Sequence, residues 1–571
     1  MTRSSLVVRT RILCGLFIVA TILIIVRLYF IQIVHGPEYR GDAVAQYVEP
    51  SQDTQSRGNI FFTTKNGELV AGAVMRSGWR IALQPKNVVD ADQSYALMNA
   101  ITPIDMQRFM NAAAKKDDPY EEVAFRVSEE AAEQLRALKI AGVIYVPDQW
   151  RFYPARGLAA QTIGFVGYQG NTKTGVYGLE RSYQDTLAII SSGLYVNPFA
   201  EIFSNVEALF SKDPATHTGS IVTSIEPKVQ QQLEDTLQGV METYTPDIAG
   251  GIVMDPHTGE IYAIAIKPSF DINTFNMVEN VSTYSNPLVE GSYEMGSIMK
   301  PLTMAAGIDA GAVMPHTTYN DTGCKELSGE IICNYDRKAR NVVNMQEVLS
   351  QSLNLGAAFV VDKMGRATFA DYVQKFELGK KTGIDLPNEA VGQIESLKSG
   401  SDIDYASAAF GQSIAVTPIE MIRALSALAN GGSIPRPHIV TAIKYQSGLS
   451  RSIDLPPKIP VIKPETAATV TTMLTTVFDD ALLKGILKQE HYSIAAKTGT
   501  AQIAIPGGGG YYTDRFLHSF FGYFPAHDPK FIIFLFAKEP HGAEFASATL
   551  ARPFVDITKF LINYYDIPPD R

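Results

Sequence analysis

The sequence predicts three successive parts: one membrane-spanning helix, a largely β unit, and a larger α/β (α+β) unit whose sheet is closed by segments far apart in the chain. Three observations predict it. An apolar run from Ile12 to Val34 matches the thickness of a bilayer, residues 36 to about 218 alternate short β-like runs with loops, and beyond residue 219 strand-like runs at both ends enclose a helical middle. At 571 residues the chain exceeds one hydrophobic core, since cores stop growing near roughly 250–300 residues. Hydrophobic residues make up 46% and charged residues 19%, a composition that folds instead of remaining disordered. A formal net charge of −10 leaves no broad cationic surface, so nucleic acid is not expected as a partner.

The first element is the anchor. From Ile12 to Val34 the run is mostly Ile, Leu, Val and Phe, and at about 1.5 Å per residue it covers a hydrocarbon core of roughly 30 Å. Arg27 and Gln32 sit near its far end, where a long cationic side chain can snorkel to the headgroups. Arg3, Arg9 and Arg11 precede it, so the positive-inside rule keeps residues 1–11 in the cytoplasm and exports everything that follows. A cleaved signal peptide fits less well, because the run is long and His35-Gly36-Pro37 is a poor small-x-small site. No second run of this length follows, which predicts a single-pass protein of the cytoplasmic membrane.

In the unit over 36–218, Arg57-Gly58-Asn59-Ile60 and Asn66-Gly67-Glu68-Leu69 predict a strand pair joined by a turn, Asn-Gly being a strong hairpin signal. Residues 91–140 have helical spacing, with Ser128 as an N-cap followed by Glu129 and Glu130. No catalytic cluster falls here, and the region reads as a folded spacer.

The unit over 219–571 opens with two strands, Gly250 to Asp255 and Glu260 to Ala265, about the turn Pro256-His257-Thr258-Gly259. Helical patterns dominate from residue 286 to about 430. Strands return at Ser493–Gln502, Ser519–Tyr523 and Phe531–Ala537. Of three cysteines, Cys14 lies in the apolar run, while Cys324 and Cys333 flank Gly329. Outside the cytoplasm these two can close a small loop as a disulfide; the alternative is two reduced thiols, and zinc lacks further ligands at suitable spacing.

Three short motifs carry chemistry in one order: Ser297-Ile298-Met299-Lys300, Ser352-Leu353-Asn354 and Lys497-Thr498-Gly499-Thr500. Each alone is weak, but their order and spacing fit one domain. If Ser297 opens a helix, Lys300 lies about one turn on and its amine comes back toward the hydroxyl. A buried lysine near other cations has a lowered pKa, and its neutral amine can take the serine proton. Gly296 permits a sharp turn before that helix, whose free N–H groups can stabilise an oxyanion. Ser352 and Asn354 are expected on a loop between helices, Ser352 relaying a proton to a leaving amine and Asn354 orienting a substrate amide. On an edge strand Thr498 and Thr500 point the same way and Gly499 lets a substrate backbone approach, so that a peptide adds as a further strand.

With these motifs the chain resembles the class B penicillin-binding proteins, most closely the division-type peptidoglycan D,D-transpeptidases. Arg57-Gly58-Asn59-Ile60 with Asn66-Gly67, Arg151-Phe152-Tyr153-Pro154, Gly164-Phe165-Val166-Gly167 and Gly178-Leu179-Glu180 resemble the family's pedestal signature. Lys381-Thr382-Gly383-Ile384-Asp385-Leu386-Pro387, Phe410-Gly411-Gln412 and Thr417-Pro418 resemble segments of its catalytic domain, so the likeness covers nearly the full length. The resemblance implies a transmembrane helix over 12–34, an elongated pedestal (dimerisation-type) domain over 36–218, and a penicillin-binding transpeptidase domain of serine β-lactamase-like fold over 219–571. It implies attack by Ser297 on a D-Ala-D-Ala bond of a peptidoglycan stem peptide, an acyl-enzyme resolved by an amine of a neighbouring strand, and acylation of the same serine by β-lactam antibiotics. It further implies an oxyanion hole of the Ser297 and Thr500 amides, Lys497 and Thr498 near a substrate carboxylate, and no cofactor or metal. As the family's class B members lack a glycan-polymerising domain, the implied partners are a polytopic glycosyltransferase and other division proteins.

The sequence departs from the family pattern at Met295, Ile298 and Ser413, where Pro, Thr and Gly are usual. These positions bear on substrate preference before they bear on activity. His257 and His491 read as turn or surface residues, Gly507–Gly510 as a loop beside the site without the Lys-Ser/Thr of a phosphate loop, and Glu347 as an exposed helix charge. The rival readings are a β-lactamase or D,D-carboxypeptidase on the same scaffold, with water as acceptor, and a non-catalytic division scaffold.

Overall fold

The computed structural model describes residues 56–170, 172–189, 218–398 and 400–571, together with Gly15, Ile18, Val19, Thr21, Ile22, Ile24, Arg27 and Tyr29. Those scattered residues are helical; the others of the expected 12–34 span, and the tail before it, lie outside the described residues. Among the described residues no helix is long and apolar enough to cross a membrane. Contacts divide the chain into Met1–Ser56 with Ile189–His217, and Arg57–Ala188 with Thr218–Arg571. The second unit carries everything below.

Turn chemistry shapes its start. Strands β1 (Ile60–Thr63) and β2 (Leu69–Leu83) pair antiparallel about a turn in which Gly67 takes φ +81°, as Asn-Gly predicts. The helical stretch resolves into α1 (Ala91–Asn99) and α2 (Met106–Ala114), then, after strand β3 (Glu121–Val127), α3 (Glu129–Ala137). Asp90, Asp105 and Ser128 cap the three helices by accepting from the backbone N–H three residues on. Helical spacing did not reveal β3. Its charged Glu-Glu start has little strand propensity, and pairing with β2 decides its state. Strand β4 (Val143–Phe152) pairs with β2 as well, and β5 (Gly219–Thr223) pairs parallel with β1, Ile60 opposite Ile221. One sheet thus joins residues on both sides of position 219.

Helix α4 (Pro227–Tyr244) has Pro227 in its first turn and the Glu226 side chain as cap, and it buries Val229, Leu233, Leu237 and Val240 along one stripe. The predicted hairpin follows as β6 (Ile248–Met254) and β7 (Ile261–Lys267). The middle holds α5 (Lys300–Asp309), a hairpin of β8 (Cys324–Leu327) and β9 (Glu330–Cys333), α6 (Met345–Ser350), α7 (Asn354–Met364) and α8 (Pro418–Ala429). Thr417 and Glu420 close a capping box on α8. The β8–β9 hairpin departs from the expected helical middle. Ser328 and Gly329 both take positive φ in its two-residue turn, and a Cys324–Cys333 disulfide joins its ends. Strands β10 (Val440–Tyr445) and β11 (Ser450–Ser452) return to the first sheet, where β10 lies on β5.

The chain ends with α9 (Pro464–Thr476), β12 (Ala495–Ala504), β13 (Tyr511–Phe524), β14 (Phe531–Lys538) and α10 (Ala551–Tyr564). These strands complete an antiparallel sheet of order β7-β6-β14-β13-β12. Both faces are covered. Ile532, Phe534 and Phe536 pack toward the helical middle, while Ile533, Leu535 and Ala537 pack against α4 and α10. Covering on both sides is why Phe531–Ala537 reads as an unbroken apolar run. Strand β12, with β13 as its one neighbour, is an edge.

Candidate active site

Ser297 sits in a 3-10 turn, Gly296–Met299, that runs directly into α5, and it is partly exposed. Two glycines make the turn possible. Gly296 has φ +63°, and a Cβ there would lie 2.9 Å from the Thr500 carbonyl oxygen. A Cβ on Gly411 would lie 2.2 Å from Gly296 O, and Gly296 N donates to Gly411 O at 3.1 Å. Met295 and Ile298, the departures beside the serine, are buried core residues.

Lys300, the first residue of α5, is 1% exposed. Its Nζ donates to Ser352 O at 2.6 Å, Asn354 Oδ1 at 2.8 Å and Ser352 Oγ at 3.1 Å. These bonds hold the amine on the second motif beside the serine turn. Burial, and secondly the charge of Lys497, hold its pKa well below the usual lysine value.

Ser352 lies between α6 and α7 with φ +56°, a left-handed conformation that costs a non-glycine residue about 1–2 kcal/mol. Its Oγ also accepts from Lys497 Nζ at 3.0 Å, so both lysines converge on one hydroxyl. Lone pairs that accept N–H from two lysine side chains leave the hydroxyl proton to be donated elsewhere. Asn354 begins α7. Its Nδ2 donates to Cys333 O at 2.9 Å, which orients the amide with its oxygen toward Lys300.

The third motif occupies the expected edge strand. On β12 Thr498 and Thr500 are half-buried on one face, while Lys497, Gly499 and Ala501 are buried on the other. Lys497 Nζ also donates to Thr498 O at 3.1 Å, and burial pushes its pKa down to about 7. Thr500 Oγ1 accepts from Ala546 N at 3.0 Å. A Cβ on Gly499 would lie 2.3 Å from Ser519 Oγ and 2.6 Å from Met295 O. The glycine is therefore required where β12 crosses the serine turn.

Two neighbours of the site, Ser519 and His518, were not read from the sequence. Ser519 Oγ donates to Met295 O at 2.9 Å and pins β13 to the serine turn; its one signal is a hydroxyl in an otherwise apolar strand. His518, opposite Thr500 in register, bonds Thr549 Oγ1 and Glu544 O, and burial pulls its pKa down to about 4, so the ring is neutral at pH 7. His257 is a turn residue whose ring bonds Asn430 and Pro529 O. Glu347, half-buried where an exposed charge was expected, accepts from Gln351 at the C-terminal cap of α6. Gly507–Gly510, all with positive φ, join β12 to β13.

The penicillin binding protein transpeptidase domain family matches residues 249–558, and the penicillin-binding protein dimerisation domain family matches residues 52–194. Stage V sporulation protein D of Bacillus subtilis is 26% identical, over 97% of this chain and 85% of its own. Peptidoglycan D,D-transpeptidase FtsI of Escherichia coli is 25% identical, over 98% and 92%. Among solved structures, penicillin binding protein 3 of Mycobacterium tuberculosis, complexed with aztreonam, shares the fold with a TM-score of 0.69 at 22% identity, covering 90% of this chain and 98% of that one.

Proposed function

Since the chain belongs to the penicillin-binding protein transpeptidase family, we propose that it is a class B peptidoglycan D,D-transpeptidase that cross-links stem peptides through a Ser297 acyl-enzyme. The observation that carries the reading is Ser352 Oγ, 3.1 Å from Lys300 Nζ and 3.0 Å from Lys497 Nζ, beside the turn that bears Ser297. It joins three distant motifs into one proton-handling unit.

In the proposed reaction neutral Lys300 takes the Ser297 proton, and Oγ adds to the carbonyl carbon of the D-Ala-D-Ala bond. The amides of Ser297 and Thr500 receive the oxyanion. Collapse breaks the C–N bond, the proton reaches the departing D-alanine amine through Ser352, and an ester on Ser297 remains. An acceptor amine then attacks the ester, forms the cross-link and returns the proton to the serine. Thr498, Gly499 and Thr500 line the edge to which the stem peptide adds, with Asn354 on its amide and the Lys497 ammonium at its carboxylate. A β-lactam places its own carbonyl at the same point and acylates Ser297.

The reading extends to the membrane: residues 12–34 anchor the chain, 1–11 remain in the cytoplasm, and the pedestal over 36–218 and catalytic domain over 219–571 face outward. A polytopic glycosyltransferase and other division proteins are the proposed partners, because a transpeptidase without polymerising activity needs a source of new glycan.

Incubation with a fluorescent penicillin is expected to label the wild-type protein and leave Ser297→Ala unlabelled, with the adduct mass on the peptide containing residue 297. Labelling that survives the substitution overturns the assignment.

A further inference from the structure

The segment leading to Ser297 is held by more than its core residues. Tyr293 exchanges backbone hydrogen bonds with Val416, Met295 O receives the Ser519 hydroxyl, and Gly296 N reaches Gly411. Between them stands Glu294. Its Oε1 accepts from Ser413 N at 2.9 Å and from the Tyr511 hydroxyl at 3.0 Å. Its Oε2 is buried and finds no hydrogen-bond donor among the described residues.

The placement of Tyr511 gives this carboxylate its leverage. Tyr511 begins β13 and faces Ala504 at the far end of the β12–β13 hairpin, just past Gly507–Gly510. As an edge strand, β12 packs directly on the serine turn, with Thr500 O beside Gly296, and is held there further through contacts that β13 makes with the same segment. Ser519–Met295 is one such contact, behind Gly499. Glu294–Tyr511 is another, at the opposite end of the hairpin, and Ser413 ties the 411–416 segment to the same oxygen. Stability alone does not favour this arrangement. A partly buried carboxylate whose one buried oxygen is unbonded costs folding free energy, and desolvation pushes its pKa up to about 7. A costly buried group at a reacting centre points to a role in holding geometry.

We infer that Glu294 is a positioning residue for acylation: its carboxylate clamps the β12–β13 hairpin and the 411–416 segment onto the serine turn, fixing the distance between Ser297 and the Thr500 amide. The inference rests on the acyl-transfer reading above. Because Glu294 sets the separation of the reacting groups, its removal acts on the acylation step and leaves initial binding nearly unchanged. Ser413, at φ +61°, takes part through its backbone N–H, while its own hydroxyl pairs with Ser407 Oγ at 2.8 Å.

The test uses full-length protein in detergent, a fluorescent penicillin, and Glu294→Ala, Glu294→Gln, Tyr511→Phe and the Ala/Phe double variant. Acylation is resolved into its first-order rate and the preceding dissociation constant, and thermal midpoints are measured alongside. Glu294→Ala is expected to slow the first-order step about 10- to 100-fold, the size of a misplacement near 1 Å, with the dissociation constant changed less than about threefold. Its thermal midpoint should hold or rise. Glu294→Gln keeps an acceptor oxygen and should restore most of the rate, while Tyr511→Phe should slow it and add nothing in the double variant. A wild-type rate in Glu294→Ala overturns the inference. So does a rate loss matched by a fall in thermal midpoint and not rescued by Gln, or full additivity with Tyr511→Phe. If wild-type protein is not labelled at Ser297, the transpeptidase reading fails first; if it is labelled and Glu294→Ala matches it, only the clamp fails.

Discussion

At the scale of single residues, the site is two buried lysines sharing one serine hydroxyl. Lys300 is held far below the ordinary lysine pKa by burial and by Lys497, while burial alone sets Lys497 at about 7. The difference separates their work. On the proposed reading, Lys300 accepts the Ser297 proton near neutral pH, while Lys497, about half protonated there, offers its ammonium to a substrate carboxylate. The second-order constant for acylation by a carboxylate-bearing β-lactam should therefore fall as pH rises through about 7, approaching about tenfold per pH unit beyond it. Stopped-flow acylation between about pH 5.5 and 9 measures this, and a constant that climbs steadily across the range would remove Lys497 from carboxylate recognition. Folding has the opposite dependence. A lysine whose folded pKa is depressed contributes stability that is complete above about 10.5 and lost as pH falls through about 7, because the unfolded chain holds a proton the buried group has released. The motif order made Ser297, Lys300, Ser352, Asn354 and Lys497 legible in the sequence, with the electrostatic reason for a low lysine pKa. That all three Lys300 hydrogen bonds go to the second motif was not legible, since spacing along a chain does not encode where a side-chain amine ends.

At the scale of elements, the long apolar strands announced themselves and the short ones did not. Phe531–Ala537 is strand-length and apolar throughout because α4 and α10 cover one face and the helical middle the other. Strands β8 and β9 have four residues each, too few to show a period, and only the turn glycine and the two cysteines hinted at them. Yet this hairpin reaches the site. The Cys324–Cys333 bridge fixes the end of β9, and Cys333 O holds Asn354 Nδ2, whose companion oxygen receives Lys300. Closing so small a loop removes about 2–3 kcal/mol of conformational freedom from the open hairpin. Reduction with dithiothreitol, or Cys324→Ser with Cys333→Ser, is expected to slow penicillin acylation about three- to tenfold while shifting the thermal midpoint little, since Ile332 is the one hairpin residue buried in a main core and its packing does not need the bridge. Parallel thiol titration and labelling kinetics check it. Equal rates in the oxidised and reduced protein would mean that the α6–α7 loop fixes Asn354 without the hairpin.

At the scale of the whole molecule, stability depends on contacts between segments that the sequence sets far apart. The parallel pairing of β1 with β5 was invisible to periodicity, because each strand is short and its partner lies some 160 positions away. The Arg-Gly and Gly-Leu-Glu segments were legible as family signatures, and the structure supplies their physical content. Glu180, 0% exposed, receives Arg57 Nε at 2.5 Å and Arg151 Nε at 2.6 Å, while Arg57 also reaches Glu180 O and Gln184. Arg151 Nη1 and Nη2 are buried with no partner among the described residues. One carboxylate thus compensates two buried guanidinium groups, and the cluster joins the start of this unit to β4 and to the short helix Gly178–Ser182. Removing only the carboxylate leaves both cations in the interior, a change of about 3–5 kcal/mol in destabilisation. Glu180→Gln should accordingly lower the thermal midpoint by several degrees and open the region before residue 188 to protease. Replacing the whole cluster, Arg57→Met with Arg151→Leu and Glu180→Leu, should recover most of that loss because no charge remains to be desolvated. Labelling of Ser297 at low temperature should persist in both variants, as none of these residues touches the site. If Glu180→Gln melts with the wild type, the cluster is hydrated in solution and the join between these segments rests on the sheet alone.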